Sequence, residues 1–457
     1  MDPRSPEAPV QRPGMLERLG LHRRELRAWA MYDFAASGVQ TTIQVAVFPL
    51  YFMRVAGADF AEPQANQYLA YANSLSIAIV ALISPILGAI ADYSAVKKRM
   101  LGTFLGVGVT AAALMFFIER GDIMLAAALF VATNVAVAGS FVFYESLLPH
   151  IASEEEVDRV STAGFALGYF GGGILLALNL AWILNPGLFG LPSESTLPTR
   201  LALASVAVWW LAFSIPLFRH VREPARMLEL DEQRGENPVR AAFQRLRETF
   251  RELRGYKHAF LMLLAFLIYN DGITTIQKMA APYGAELGIS ESALIGSILI
   301  VQFVGIPFSF LFGGLAGRIG TKTAIFAGLA VYAVISIFGF FMQTATHFFI
   351  LAMLVGTVQG GTQGLSRSLF STMIPRHKSG EFFGFFSVFS KFAGIFGPLL
   401  FAGMIGLTGS GRYGILSIIA FFFIGGAVLL LVDPVEGERA ARAADADTRV
   451  ATSAGAA

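Results

Sequence analysis

The chain has 457 residues, 55% hydrophobic and 14% charged, with a formal net charge of +2 and no cysteine. Soluble domains carry about 25% charged residues, so this composition excludes an ordinary soluble chain of two or three domains. The lack of cysteine excludes a disulfide framework, an iron–sulfur cluster and thiol catalysis.

Residues 1–28 form a Pro/Arg-rich tail. The apolar run that follows exceeds the 7–15 residues of a signal-peptide core, so it reads as a first spanning helix kept in the mature protein. A spanning helix needs ~20 apolar residues. Twelve runs qualify: 29–53, 67–91, 100–118, 123–147, 160–184, 200–218, 258–283, 292–316, 322–342, 347–372, 381–406 and 412–432. The expected architecture is all-α: a polytopic membrane protein with a six-helix bundle over 29–218, a linker over 219–257, a second six-helix bundle over 258–433 and a tail over 434–457. Glycines one turn apart, such as Gly164, Gly168 and Gly171 or Gly356, Gly360 and Gly364, allow close helix contact within lipid.

Twelve spans place both ends on one side. The tails and the connections on that side hold most of the 34 Lys and Arg, whereas the opposite connections hold only Arg54, Arg120, Arg200 and Arg412. The positive-inside rule makes the richer side cytoplasmic. In the linker, Asn237, Pro238 and Gly255 bound a helical pattern of Val239, Phe243, Leu246, Phe250 and Leu253 interspersed with arginines. It suits a helix lying on the lipid surface, or equally one packed on the bundle. Beside twelve spans, these arginines do not predict a nucleic-acid partner.

The two halves repeat one another. Thr41-Thr42-Ile43-Gln44 of span 1 recurs as Thr274-Thr275-Ile276-Gln277 of span 7, each after a Tyr/Asp cluster. Gly88-Ala-Ile-Ala-Asp92 ends span 2 ahead of Lys97-Lys98-Arg99, and Gly313-Gly-Leu-Ala-Gly317-Arg318 ends span 8 ahead of Lys322. A six-helix offset is the mark of two parallel repeats. These segments resemble the major facilitator signature between the second and third helices of each half. Asp92 and Arg99 are therefore expected to gate, latching one half to the other, although positive-inside anchoring explains the basic residues equally well. The second copy has Gly317 in place of the acid.

A narrower resemblance covers most of the chain. It rests on Trp29-Ala-Met-Tyr-Asp33-Phe-Ala-Ala-Ser37, Phe143-Tyr144-Glu145-Ser-Leu-Leu-Pro149, Gly164-Phe-Ala-Leu-Gly168-Tyr169-Phe-Gly171-Gly172, Tyr269-Asn270-Asp271-Gly272 and Ser366-Arg367-Ser368 with Lys391-Phe and Gly397-Pro398. Together these look like the autophagy-related vacuolar amino-acid effluxer family and its bacterial relatives. The resemblance implies a major facilitator fold whose helices 1, 4, 7 and 10 line a central cavity, and amino-acid export of the kind fungal members perform from vacuoles. Glu145 departs from the family pattern, which has Asn there.

Six ionisable groups lie inside spans: Asp33, Glu145, Asp271, Lys278, Arg367 and Lys391. A charge at a helix centre costs about 2.5–3.5 kcal/mol on insertion scales, so these are expected to pair or to face a wet cavity. Asp271, Lys278 and Lys391 fall mid-membrane and, with Asn270, are the expected substrate contacts. Asp33, Glu145 and Arg367 lie nearer the cytoplasmic end and are expected to gate or to carry a coupling proton. A permanent ion pair that only holds the bundle together is the alternative for each. No HExxH, Walker A, GxSxG or CxxC pattern is present, so an enzyme, a metal or a cofactor is not expected. The reading is a transporter of a small zwitterion, such as an amino acid, in contact with membrane lipids, with protons as the candidate coupling ion, in a bacterial inner membrane. The alternatives are an exporter of a drug-like or lipid-like amphiphile and a receptor or scaffold with a transporter fold.

Overall fold

The computed structural model describes residues 14–454 apart from 61, 95, 225–254 and 290. Thirteen helices organise it. They are α1 over 24–56, α2 Glu62–Ser94, α3 Lys97–Leu114, α4 Ile123–Ser146, α5 Val157–Leu184, α6 Leu197–His220, α7 Lys257–Glu286, α8 Glu291–Ile319, α9 Thr321–Phe340, α10 Ala345–Thr372, α11 in two pieces (Ser379–Phe392 and Phe396–Thr408), α12 in two pieces (Gly411–Ser417 and Ile419–Leu430) and α13 Pro434–Ala454. Among the described residues, ten helical stretches are long and apolar enough to cross a bilayer. The remaining two spans, α1 and α11, are interrupted, and the fold is that of twelve transmembrane helices in two six-helix bundles.

The interruptions have local causes. Pro49 has no N–H to give the carbonyl of Val45 and crowds it, and the chain ahead of it is wound as a π-helix over Val39–Ala46. In α11 the break falls at Gly394, whose φ of 98° only glycine adopts without strain. Pro398 then sits in the first turn of the second piece, where a missing N–H leaves no bond unmade. A single continuous span over 381–406 is thus corrected to two half-helices.

Each half has its own apolar core. One cluster gathers Trp29, Phe48, Phe143, Leu203 and Trp210, and the other Leu263, Ile325, Phe370, Phe382 and Phe422. The repeat is visible in detail. Lys98 at the start of α3 donates to the carbonyls of Phe218 and Val221 at the end of α6. Lys322 at the start of α9 does the same to Leu430 and Val432 at the end of α12. Both ammonium groups cap helix C-termini, where the dipole favours a cation.

The glycine stripe of α5 brings α1 close. A Cβ on Gly171 would strike the carbonyl of Phe34, and one on Gly168 would lie 2.7 Å from the Ser37 hydroxyl. Gly171→Ala therefore forces the two helices apart at an overpacking cost of about 1–3 kcal/mol. Thermal unfolding in detergent should show a lowered midpoint, and an unchanged one would refute the close packing.

The face carrying the chain ends, called here the terminal face, is also where the halves meet. The tail expected from 434 is helical: α13 binds the second half through Glu436 to His258 (2.8 Å) and Asp445 to the Arg376 N–H (2.9 Å). It reaches the first half through Arg442 and Glu154. The linker helix expected between Asn237 and Gly255 lies almost wholly outside the described residues.

Candidate transport site

Arg367 is the centre of the first cluster. It projects from α10, 1% exposed, into contact with α1, α4 and α5. Both terminal nitrogens lie 3.4 Å from Asp33 Oδ2, and Nη1 lies 3.9 Å from Glu145 Oε1. Nε donates to the Ser161 hydroxyl at 2.9 Å and Nη2 to the Ser161 carbonyl at 2.8 Å. The guanidinium carbon lies 4.6 Å from the ring centre of Phe165 and 4.9 Å from that of Trp29. A planar cation with several donors and an aromatic bed is a place for arginine rather than lysine.

The surroundings fix the acid as firmly as the base. The Tyr144 hydroxyl donates to Asp33 Oδ2 at 2.7 Å, and Trp29 stacks on Tyr144 while donating its indole N–H to the Tyr144 carbonyl at 2.9 Å. A Cβ on Gly164 would fall 2.5 Å from Asp33 Oδ2 and 3.0 Å from Arg367 Nη2, so glycine there makes room for the pair. Asp33, Glu145 and Arg367, separated by up to 334 positions in sequence, are thus brought together across the boundary between the halves.

A second polar centre lies deeper, at the break in α11. Asp271 of α7 is 1% exposed. Its Oδ1 accepts the N–H groups of Gly394 (2.7 Å) and Gly397 (2.9 Å), and its Oδ2 that of Phe396 (3.1 Å). A carboxylate from a neighbouring helix therefore caps the second piece of α11, satisfying donors that have no water within a bilayer. Lys278, two turns along the same face of α7, is exposed, with its ammonium near Gly394: a Cβ built there would lie 3.0 Å from Lys278 Nζ.

Of the expected substrate contacts, Asp271 is buried and caps the broken helix, both of its oxygens holding backbone donors. Asn270 is buried and accepts from Gln363 of α10 at 3.0 Å, tying α7 to α10. Lys391 is placed one turn before the break, but its side chain and that of Asp92 lie outside the described residues. Arg99 is exposed, and within the run Lys97-Lys98-Arg99 it is Lys97 that reaches the other half, donating to the Ser379 hydroxyl of α11 at 2.7 Å. Three consecutive cations look alike in sequence, and only the register of the helix start decides which one faces inward. Ser161 and His150 join the boundary without a sequence signal of their own beyond polarity.

This arrangement of two pseudo-repeated six-helix bundles meeting around charged helices defines a major facilitator transporter, not an enzyme. The chain belongs to the family described as "Vacuole effluxer Atg22 like", whose model matches residues 58–442. It is 36% identical over 406 residues to an MFS-type transporter of uncharacterised activity, YxiO, from Bacillus subtilis, covering 89% of this chain and 94% of that one. It is 28% identical to autophagy-related protein 22 of Yarrowia lipolytica, over 62% of this chain and 51% of that one. In fold it is similar to the proton:xylose symporter XylE, with a TM-score of 0.69 at 14% identity, covering 92% of this chain and 96% of that one. It is also similar to FucP in its outward conformation, with a TM-score of 0.64 at 13% identity, covering 91% and 99%.

Proposed function

We propose that this transporter moves a small zwitterion, an amino acid or a close analogue, by alternating access. The observation that carries the reading is a pair of polar centres, one at the boundary between the halves and one at the break in α11 within the second half. Lys278 offers an ammonium to a carboxylate beside the α11 break, and the Asp33–Glu145–Arg367 cluster offers acids on the terminal side. A purely apolar cargo has no use for either. Asp271 and Asn270 serve this site by holding α11 and α10 in place around it, and Lys391 belongs to the same region by its position on α11.

The terminal face is the cytoplasmic one, on the strength of the Lys/Arg bias of the connections. The membrane is the bacterial inner membrane, in keeping with the Bacillus relative. Two carboxylates share one guanidinium at the boundary, so a proton carried by Asp33 or Glu145 would loosen the pair and couple its movement to that of the solute.

Counterflow in proteoliposomes tests the recognition of both charges. An amino acid should compete with labelled substrate, while its amide and its deaminated acid should each compete at least about tenfold less well, the loss expected for one buried charge left unpaired. Lys278→Ala should raise KM for the amino acid by a similar factor while the protein still inserts. Equal competition by all three compounds would refute the zwitterion reading.

A further inference from the structure

The two corners of the terminal face are related by the six-helix repeat. At the first, the start of α3 meets the start of α11. At the second, the start of α9 meets the start of α5. The equivalence of Lys98 and Lys322, each capping the last helix of its half, also makes Lys97 equivalent to Thr321. In the first corner the residue opening the helix is the charge: Lys97 donates to the Ser379 hydroxyl at 2.7 Å, with His150 Nε2 3.1 Å from the same hydroxyl. In the second corner the residue opening the helix is the hydroxyl: Thr321 donates to Asp158 Oδ2 at 2.6 Å, and Ser368 of α10 donates to Asp158 Oδ1.

We infer that Asp158 is the gating carboxylate of the second corner, standing in for the acid that the repeat lacks at Gly317. Asp158 is in the first turn of α5, where an acid ordinarily serves its own helix. Here both oxygens accept from the opposite half instead. The turn around it is seated for that purpose. A Cβ on Gly313 would collide with the Thr162 hydroxyl, and one on Gly364 would lie 3.1 Å from Thr162 Cγ2, so α8 and α10 present bare backbone to α5. Ser161, between Asp158 and this contact, donates to the Gly364 carbonyl at 2.7 Å.

The terminal face is thus held by two latches of inverted polarity, a cation on a hydroxyl at one corner and hydroxyls on an anion at the other. Opening this face must break both hydrogen bonds of Asp158, and its carboxylate then needs water. The inference rests on alternating access and not on the identity of the solute.

The absence of cysteine gives a clean readout. Thr372 lines a cavity of about 400 Å³ on the terminal face, between the halves and α13. In a Thr372→Cys protein without substrate, maleimide should label slowly. Adding Asp158→Ala should raise the labelling rate by roughly tenfold or more, the effect of losing a charge-assisted hydrogen bond. Thr321→Val alone should give a smaller rise, and combined with Asp158→Ala it should add almost nothing. An unchanged rate in Asp158→Ala, with or without a lowered melting temperature, would overturn the inference. So would strictly additive effects of the two substitutions. A failed zwitterion assay would leave this labelling result untouched.

Discussion

Arg367→Ala is expected to abolish transport and to destabilise the protein by about 3–5 kcal/mol, the usual consequence of removing one partner from a buried ion pair. The substitution leaves Asp33 without its cation inside a wall formed by Trp29, Tyr144 and Gly164, and strips Ser161 of the donor that joins the halves. Arg367→Lys keeps the charge but loses the planar donors that reach Asp33 and Ser161 together, so it should restore most of the thermal stability and little of the transport. Thermal unfolding and counterflow on the same preparations separate the two effects. If Arg367→Lys transports like the parent, the guanidinium geometry has no part in the cycle and the cluster is only a structural pair.

Asp271→Ala is the second large effect. It leaves three backbone N–H groups of Gly394, Phe396 and Gly397 without their acceptor at mid-membrane depth, where each unmade bond costs several kcal/mol. Loss of the folded protein in detergent, or a fall in melting temperature well beyond that of Lys278→Ala, is the expected result. Gly394→Ala tests the same break from the other side: a φ of 98° strains any L-residue, and the new methyl group meets Lys278 Nζ. This variant should fold less stably and bind substrate more weakly. Parental stability and KM in both variants would mean that the break is neither capped by Asp271 nor part of the site.

The spans were legible because lipid leaves the chain little choice: twelve apolar runs and a lopsided distribution of Lys and Arg follow from the solvent alone. The charged cluster was legible in kind. Asp33, Glu145 and Arg367 had to find partners, and the structure supplies them. The role of Asp271 was not legible, because its partners are N–H groups of a break over a hundred residues away. Gly394 and Gly397-Pro398 hint at that break only once the acid is placed beside it. Asp158 is not legible for a different reason. An acid in the first turn of a helix has an ordinary local explanation, and only the packing of α5 against α8 and α10, with Thr321 brought alongside, redirects it. Arg99 against Lys97 was a question of helix register, which periodicity does not resolve within a run of cations.

The account as a whole depends on a zwitterion crossing between the halves, and uptake into proteoliposomes tests this most directly. A panel of labelled amino acids, with and without an imposed pH gradient, should show saturable movement of at least one member, lost in Arg367→Ala and reduced in Lys278→Ala. Absence of movement for every amino acid under every gradient, in protein that remains folded, would contradict it.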